Sequence, residues 1–598
     1  DEVILIGSGV IQVAEGRRTP VAVSTIRAEE ISTKASGNVE FTEAMKNTPS
    51  VYVANQGSGF GDSQIFLRGF DDTNTAFLLN GQPINGQEDG KMYWSNWSGM
   101  SDVANAVQVQ RGLGASKIAI PSVGGTMNIL TRGIGNKQSG TIKQDIGSFG
   151  RLKTSIGYNS GKMDNGWGFT LAGSYKRGNG FVQETWTEGY FYYAKIQKEI
   201  GNHTFTLSAM GAPQKHGQRS YKSDISTYWD RANEMYKSDS AKGIFKGMDY
   251  YFNQSIRYNK HWGNIDRWTL DANGDTIHHH SILNTKQNYF HKPQYSLRHF
   301  WVVNDKFYVS NISYASIGNG GGTGISGNTN NYDDFGQYHL QDAYNGNINN
   351  IDVLYSDDES KSSTYLRSSI NNHYWYGLLS TVNYNPSEEI SISGGLDLRT
   401  YKGEHYREVY DLLGGDYAID ESNGLQLTQI KNEGDIVGYH NDGFVKWLGG
   451  FSQVEYNNGR VSTFFNLSGS NSGYRRHDYF KKKDLVLSDT TFTEVLGTSV
   501  NLINIEVDEN GQLTGDKVME IDHRDLMQSY YRMKSATEDI EGSIIKSTSD
   551  VREFAKFDIV IINKGAQDKV GAGDVLSIRR QSPAVVETSE GPKYAEDA

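Results

Sequence analysis

No cysteine occurs among the 598 residues. Thiol catalysis and disulfide staples are excluded, although a chain with a large sheet can dispense with disulfides even in an oxidising compartment. No run of 18 or more apolar residues exists. A membrane-spanning helix is therefore unavailable, and a closed barrel is the only other way across a bilayer. Apolar residues make up only 36% of the chain, and mean hydropathy is -0.58. Positive charge is also short. The net charge of -12 and the lack of a basic stripe argue against nucleic acid as a partner. The first ten residues, DEVILIGSGV, have neither a basic n-region nor a long apolar h-region. They are not a signal peptide, so the expectation is a chain that begins downstream of processing, or a fragment.

Aromatic residues are abundant: 36 Tyr, 24 Phe and 10 Trp, beside 67 Gly. An ordinary globular enzyme of this size carries more Leu and Ala and less Tyr and Gly. The combination suits a transmembrane β-barrel, where only alternate residues face lipid and aromatic girdles mark both interfaces. A soluble, secreted all-β protein shares most of this bias, and composition leaves the two open.

The chain changes texture twice. Residues 1–10 form a short apolar run after two acids, and residues 11–36 are polar. VEFTEAMKN (39–47) predicts one short helix ending at Asn47-Thr48-Pro49. AFLLNGQPI (76–84) places an Asn-Gly pair between apolar runs, a strong hairpin signal. ANAVQVQRG (104–112) alternates, with Val107 and Val109 on one face, and GGTMNILTR (124–132) ends the compact region. From residue 134 onward, segments of about ten residues alternate apolar and polar and break at Gly, Asn or Asp, as barrel strands do. Residues 212–296 and 319–371 read as long polar loops, and Asn385-Pro386-Ser387-Glu388-Glu389 and Asn457-Asn458-Gly459 as tight turns. Short turns on one side and long loops on the other fit periplasmic and extracellular faces. From about residue 484 aromatics fall away, which predicts an α+β tail of different origin over 484–598.

The segments IFLRGFDDTNTAFLLNGQPING and VQVQRGLGASKIAIPSVGGTMNILTR resemble the plug domain of TonB-dependent outer-membrane receptors, in texture those of Bacteroidetes-type bacteria. The resemblance covers residues 1–483 and implies four parts. Residues 1–10 would hold the TonB box, with Glu2, Val3, Ile4, Leu5 and Ile6 pairing with TonB by strand addition. Residues 11–133 would be an α/β plug, and 134–483 antiparallel barrel strands around it. The plug motif would comprise Arg68, Gly69 and Phe70 of a strand, Asn80 and Gly81 of a hairpin, and Arg111, Gly112, Gly124 and Gly125 of the last strands. Arg68 and Arg111 are candidates to pair with acids on the barrel wall. Tyr93, Trp94 and Trp97 follow charges in an unusual loop and are candidates for a ligand-binding aromatic platform. Packing against the barrel interior is the other account of them.

Other signals fail on physical grounds. His278-His279-His280 cannot converge on one metal, because neighbours on a strand point to opposite faces. A polar outer loop accounts for them. The glycine runs at 57–61 and 318–322 lack the Lys-Ser or Lys-Thr and helix of a phosphate loop. Asp357-Asp358-Glu359 lacks EF-hand spacing. No catalytic constellation stands out, and neither a cofactor nor a metal site is expected.

The resemblance thus implies a non-enzymatic importer in the outer membrane of a Gram-negative bacterium. Its ligand would be a siderophore, haem, cobalamin, glycan or peptide. Its partners would be TonB, outer-membrane lipid, the extracellular ligand and a possible surface lipoprotein. The alternatives are a cell-envelope glycan-binding protein that does not transport, and a secreted enzyme acting on polysaccharide. One count is discordant. Plugged transporters of this kind use about 22 strands, whereas alternation yields roughly ten to twelve before residue 484. The chain ends Tyr594-Ala595-Glu596-Asp597-Ala598 rather than in a terminal aromatic. The expectation is half a barrel, from a truncated or chimeric gene. The segments Asn563-Lys564-Gly565 and Gly573-Asp574-Val575-Leu576 faintly resemble the C-terminal domain of LysM-type peptidoglycan-associated proteins.

Overall fold

The computed structural model describes residues 22–480, except 37–38, 56–60, 62, 113–119, 121, 136, 220–222, 328–336 and 424–428, together with short strand segments between 485 and 594. The segment 1–10 and the LysM-like segments lie outside the described residues, apart from the two-residue strand Asp574–Val575 within the latter. Residues 1–519 form one compact unit and 520–598 a second.

The first layer is a small mixed sheet. Its elements are β1 (Val23–Arg27), α1 (Ala28–Lys34), β2 (Val51–Ala54), β3 (Gln64–Leu67), β4 (Thr75–Leu79), β5 (Gln82–Pro83), β6 (Ala104–Arg111) and β7 (Gly125–Thr131). The five-stranded order is β1-β6-β7-β4-β5, with β4 and β7 parallel and the other neighbours antiparallel. β2 and β3 pair separately. Val107 and Val109 are buried as the alternation predicts, but Gln108 and Gln110 are buried too. Both faces of β6 are covered, and Gln108 accepts a hydrogen bond from Asn128 across the sheet at 3.3 Å. The expected helix at 39–47 is instead a 3₁₀ turn over Phe41–Met45. The α-helix lies earlier, in the stretch read only as polar, where Ile31 is its one buried residue. A single apolar anchor in seven residues is too weak a period to detect.

The second layer is a large antiparallel sheet. It contains β8 (Ser139–Gly147), β9 (Arg151–Asn159), β10 (Trp167–Gly178), β11 (Thr187–Ile200), β12 (His203–Gly211) and β13 (Gln214–Gly217). After α2 (Ile225–Ala241), α3 (Met248–Arg257) and the hairpin β14 (Trp262–Leu270) with β15 (Thr276–Asn284), it resumes with β16 (Gln287–His291), β17 (Gln294–Asn304) and β18 (Phe307–Gly327). Then follow α4 (Leu340–Ile348), β19 (Thr364–Tyr384), β20 (Ile390–Asp411), the small pair β21 (Ala418–Ile419) and β22 (Ile430–Lys431), β23 (Ile436–Asn457) and β24 (Ser462–Asp478). β12 and β13 are one strand broken at Ala212-Pro213, and β16 and β17 one strand broken at Lys292-Pro293. Proline cannot donate to the ladder, so the ladder stops there. Eleven strands therefore run side by side, each paired to its sequence neighbour. Among the described residues β8 and β24 do not pair with each other; β24 meets only a short strand at Ser499–Val500.

Alternation along these strands is inverted relative to a soluble protein. On β20, Leu396 is 58% exposed and Leu398 42%, while Asp397 between them is 1% exposed. On β11, Lys195 is buried and Ile196 exposed. Apolar residues face outward and polar ones inward, as a bilayer requires. On β19 the outward positions run Tyr374, Tyr376, Leu378, Val382 and Tyr384. Ten residues cover roughly 33 Å along a strand, or about 25 Å along the axis at a tilt of ~40°, matching the apolar band of outer-membrane barrels. Exposed Tyr158, Trp167 and Trp301 mark the short-turn rim.

The regions read as long loops are largely structured. β18 and β19 continue past the apolar band, and residues 212–296 hold two helices and a hairpin. Beyond the bilayer both strand faces can be polar, so the alternation that marks a membrane strand vanishes while the ladder persists. The three histidines lie on β15 rather than in a loop. His278 and His280 share a face and stack at 6.0 Å, with Nδ1 atoms 2.8 and 3.3 Å from the Asp266 carboxylate. His279 faces away, beside Thr269. Among the described residues no group of three or more such side chains could hold a metal.

At the foot of this hairpin, burial first, then the nearby Lys286 and Lys260, push the His261 imidazole down to about 4. The unfolded segment takes up a proton below about 6.5, whereas the folded one does so only near 4. Stability at this site is thus complete above pH 6.5 and falls as pH drops towards 4, by about 3 kcal/mol in all. Protection of amides over residues 258–286, relative to their intrinsic exchange rates, should fall between pH 7 and pH 5 more than in a His261→Phe variant.

Candidate ligand site

Two tight turns set the inner end of the N-terminal sheet. Asn80 and Gly81 have φ of 50° and 86°, the pair of left-handed residues that a two-residue hairpin turn needs and that an Asn-Gly pair supplies. The Asn80 side-chain Oδ1 accepts from Thr131 N at 2.8 Å, and Gly81 N donates to Asn128 Oδ1 at 3.0 Å. The turn is thereby fastened to β7. Arg68 and Gly69, expected in a strand, form a second such turn with φ of 57° and 85°, closed by hydrogen bonds between Leu67 and Phe70. Gly112 leaves room for the Arg68 guanidinium, since a Cβ there would lie 2.1 Å from Nη1. Gly124 and Gly125 sit where a Cβ would meet Phe70 and the Gln110 carbonyl. Arg111 Nη2 donates to Ser24 on β1. Among the described residues, neither Arg68 nor Arg111 forms an ion pair with the large sheet. Arg68 lies against Gly112 and Arg111 against the Ser24 hydroxyl, both within their own domain.

The contacts between the two layers come from other residues. Asp102, whose side chain is 9% exposed, accepts from the buried Lys153 Nζ at 2.8 Å and from the buried Ser155 Oγ at 3.1 Å. Gln82 donates to Gln294 at 3.0 Å and Tyr193 to Thr131 at 3.2 Å. The core of the N-terminal domain continues without a break into Phe191, Tyr193 and Met210 of β11 and β12.

Loop 84–97 projects from β5 against β16–β20, and together they enclose a cavity of about 640 Å³. Asn85, which sequence reasoning missed, organises this loop. Its Oδ1 accepts from Phe77 N, and its Nδ2 lies within 3.2 Å of the carbonyls of Asp72, Thr75 and Gly90. The second Asn-Gly pair, at 85–86, was the available signal. Asp71 and Asp72 brace the loop's base in opposite electrostatic senses. Burial alone would raise the Asp71 carboxyl, but hydrogen bonds from Thr73 and Asn74 outweigh it and hold Asp71 below the usual carboxylate range. Burial raises Asp72, and the Met92 N–H offsets this only in part.

The loop's side chains divide. Trp94, expected in an aromatic platform, is 1% exposed, edge-on to Phe77 at 5.4 Å and near Phe41 at 6.3 Å. It belongs to the domain core and offers a ligand no face, because its four-residue 3₁₀ turn directs it inward. Trp97 is largely buried but lines the cavity. Tyr93 is 45% exposed and also lines it, with its hydroxyl donating to Asp89 at 2.6 Å. Glu88 enters from the same loop and accepts from His405 Nε2 at 2.9 Å and Tyr401 OH at 3.2 Å. Gly443 and Gly403 on β23 and β20 make the notch for it, since a Cβ on either would lie 2.1 or 2.8 Å from a Glu88 oxygen. Phe290, with Lys292 Nζ 5.0 Å above its ring, closes the far side. Aromatic faces, amides and a few charges make the cavity suited to holding a polar, ring-bearing molecule.

Residues 15–126 match the TonB-dependent Receptor Plug Domain family. The ferric enterobactin receptor of Pseudomonas aeruginosa is 26% identical over 140 residues, covering 21% of this chain and 18% of that protein. The probable TonB-dependent siderophore receptor PirA of Acinetobacter baumannii is 25% identical over 135 residues, with the same shares. The chain thus spans about a fifth of the length of the curated relatives it matches. Among solved structures, the ferric citrate transporter FecA in its unliganded form superposes with a TM-score of 0.50 at 13% identity, covering 77% of this chain and 57% of that one. FpvAI from its complex with pyocin S2 gives 0.50 at 12%, covering 81% and 55%. At such identities the likeness speaks for the fold, and the fold agrees with the inverted alternation and the inner domain. Residues 15–126 thus carry a domain of the TonB-dependent Receptor Plug Domain family, and the antiparallel strands that follow share the fold of the FecA barrel.

Proposed function

We propose that this chain serves TonB-dependent import of a scarce extracellular ligand across the outer membrane of a Gram-negative bacterium. The observation that carries the reading is the cavity between plug loop 84–97 and strands β16–β20, on the long-loop side of the plug. A ligand there would touch both the movable domain and the wall, so binding can be felt by the plug. Tyr93 and Trp97 are the loop's proposed ligand contacts. Glu2, Val3, Ile4, Leu5 and Ile6 are the proposed TonB box, adding a strand to TonB. The four-part division at residues 10, 133 and 483 is proposed with it, and the surface lipoprotein remains a candidate partner.

Relatives named for siderophores make an iron chelate the first ligand to try. The aromatic and amide lining also favours a glycan as the second. Deleting residues 1–7 from the chromosomal copy is expected to abolish uptake of ⁵⁵Fe offered as ferric enterobactin while cell-surface binding stays intact. Uptake at the parental rate in the deletion strain contradicts the assignment of the box.

A further inference from the structure

On the outward face of the large sheet a line of polar side chains crosses four neighbouring strands among apolar residues such as Leu207, Leu297 and Leu378. Ser380 on β19 donates to Asn311 Oδ1 on β18 at 2.7 Å. Asn311 Nδ2 lies 3.3 Å from His299 Nδ1 on β17. His299 Nε2 lies 2.9 Å from His203 Nδ1 on β12. The orientation of Asn311 fixes the rest. Its amide donates, so His299 Nδ1 accepts and His299 carries its proton on Nε2. That N–H donates to His203 Nδ1, so His203 carries its proton on Nε2. The relay therefore ends in one N–H donor, and among the described residues His203 Nε2 has no recorded partner.

The rings around this donor are ordered. His203 stacks on His299 at 5.2 Å and on Trp301 at 5.3 Å, and Phe205 stacks on His299 at 4.7 Å. His203 opens β12 immediately after the Gly201-Asn202 turn. It therefore stands at the short-turn rim, level with the girdle aromatic Trp301, its cross-strand partner. Lys198 and Lys306 stand at the same rim, each with its ammonium on a turn carbonyl, of Asn165 and Pro386. Polar groups facing lipid are costly, and a relay satisfied at every member but the last calls for an acceptor from outside the protein.

We propose that this rim binds the headgroup phosphate of a phospholipid in the leaflet next to the short turns. His203 Nε2–H is the donor, and Trp301 and Phe205 flank the glycerol region. The site depends on the barrel spanning the membrane, and its test separates the two. The full chain is placed in nanodiscs of phosphatidylethanolamine and phosphatidylglycerol, and retained lipid is counted by native mass spectrometry. Parent protein should keep a bound phospholipid, and His203→Leu should lower its occupancy about tenfold, the loss of one hydrogen bond to a charged group. His203→Gln, which keeps an N–H donor at similar reach, should retain it. Asn311→Leu, which frees the tautomers from two strands away, should lose occupancy severalfold. Equal occupancy in His203→Leu and parent, loss in His203→Gln matching His203→Leu, or retained lipopolysaccharide in place of phospholipid overturns the proposal. A chain that fails to enter the bilayer overturns the membrane reading itself, and the site with it.

Discussion

Replacing Lys153 with Met should destabilise the docked plug by about 3–5 kcal/mol, because it leaves the Asp102 carboxylate buried without its cation. Both side chains are nearly inaccessible, at 3% and 9% exposure, and lie 2.8 Å apart. Ser155 Oγ would remain as a donor to Asp102, but one neutral hydrogen bond does not offset a desolvated charge. The double replacement Lys153→Met with Asp102→Leu should recover most of the loss, since exchanging a whole buried pair for apolar groups is often neutral. The temperature at which the folded band converts on a semi-native gel reads both variants. If Lys153→Met converts at the parental temperature, the pair is not buried between plug and wall as described.

Trp94→Ala should cost a comparable 3–5 kcal/mol, the range for truncating a fully buried large aromatic. Its indole fills the plug core against Phe77 and Phe41, and no neighbour can collapse into so large a void without moving β4. Tyr93→Ala, one residue earlier, should stay within about 0.5 kcal/mol of the parent, as surface changes do. The Tyr93 replacement should instead weaken ligand binding. Urea denaturation of the two variants separates core from site. Equal destabilisation would mean that loop 84–97 is not divided into a buried and a presented side chain.

Much of this was legible because strands announce themselves by period and turn. Asn80-Gly81 marked its hairpin, since few residue pairs tolerate two left-handed positions. Alternation marked β8–β12, β18–β20, β23 and β24, since lipid on one face and lumen on the other impose it at every step. Trp94 was misplaced for a physical reason: aromatic clustering in a sequence carries no direction, and a 3₁₀ turn decides which ring points inward. Asn85 was overlooked because its four hydrogen bonds go to backbone 5 to 13 residues away, at separations that follow neither the strand nor the helix period. The long loops were over-read because strands that leave the bilayer lose the alternation but keep their hydrogen bonds. The plug's arginines drew attention by charge, yet the charges that join plug to wall are Asp102 and Glu88. Each lies in an irregular segment where no period points to it.

The central claim is that a plug domain sits against the inner wall of an outer-membrane barrel. Because the chain has no cysteine, two introduced thiols would be the only reactive ones. Gln82 of the plug and Gln294 of β17 touch at 3.0 Å. With Gln82→Cys and Gln294→Cys together, a short bis-methanethiosulfonate cross-linker added to isolated outer membranes, which forms a disulfide with each thiol and releases sulfinate, should join the two segments. After protease cleavage between residues 82 and 294 the fragments should stay linked and run as one band. Separate fragments after complete thiol modification, or recovery of the protein in the soluble fraction, would contradict the account.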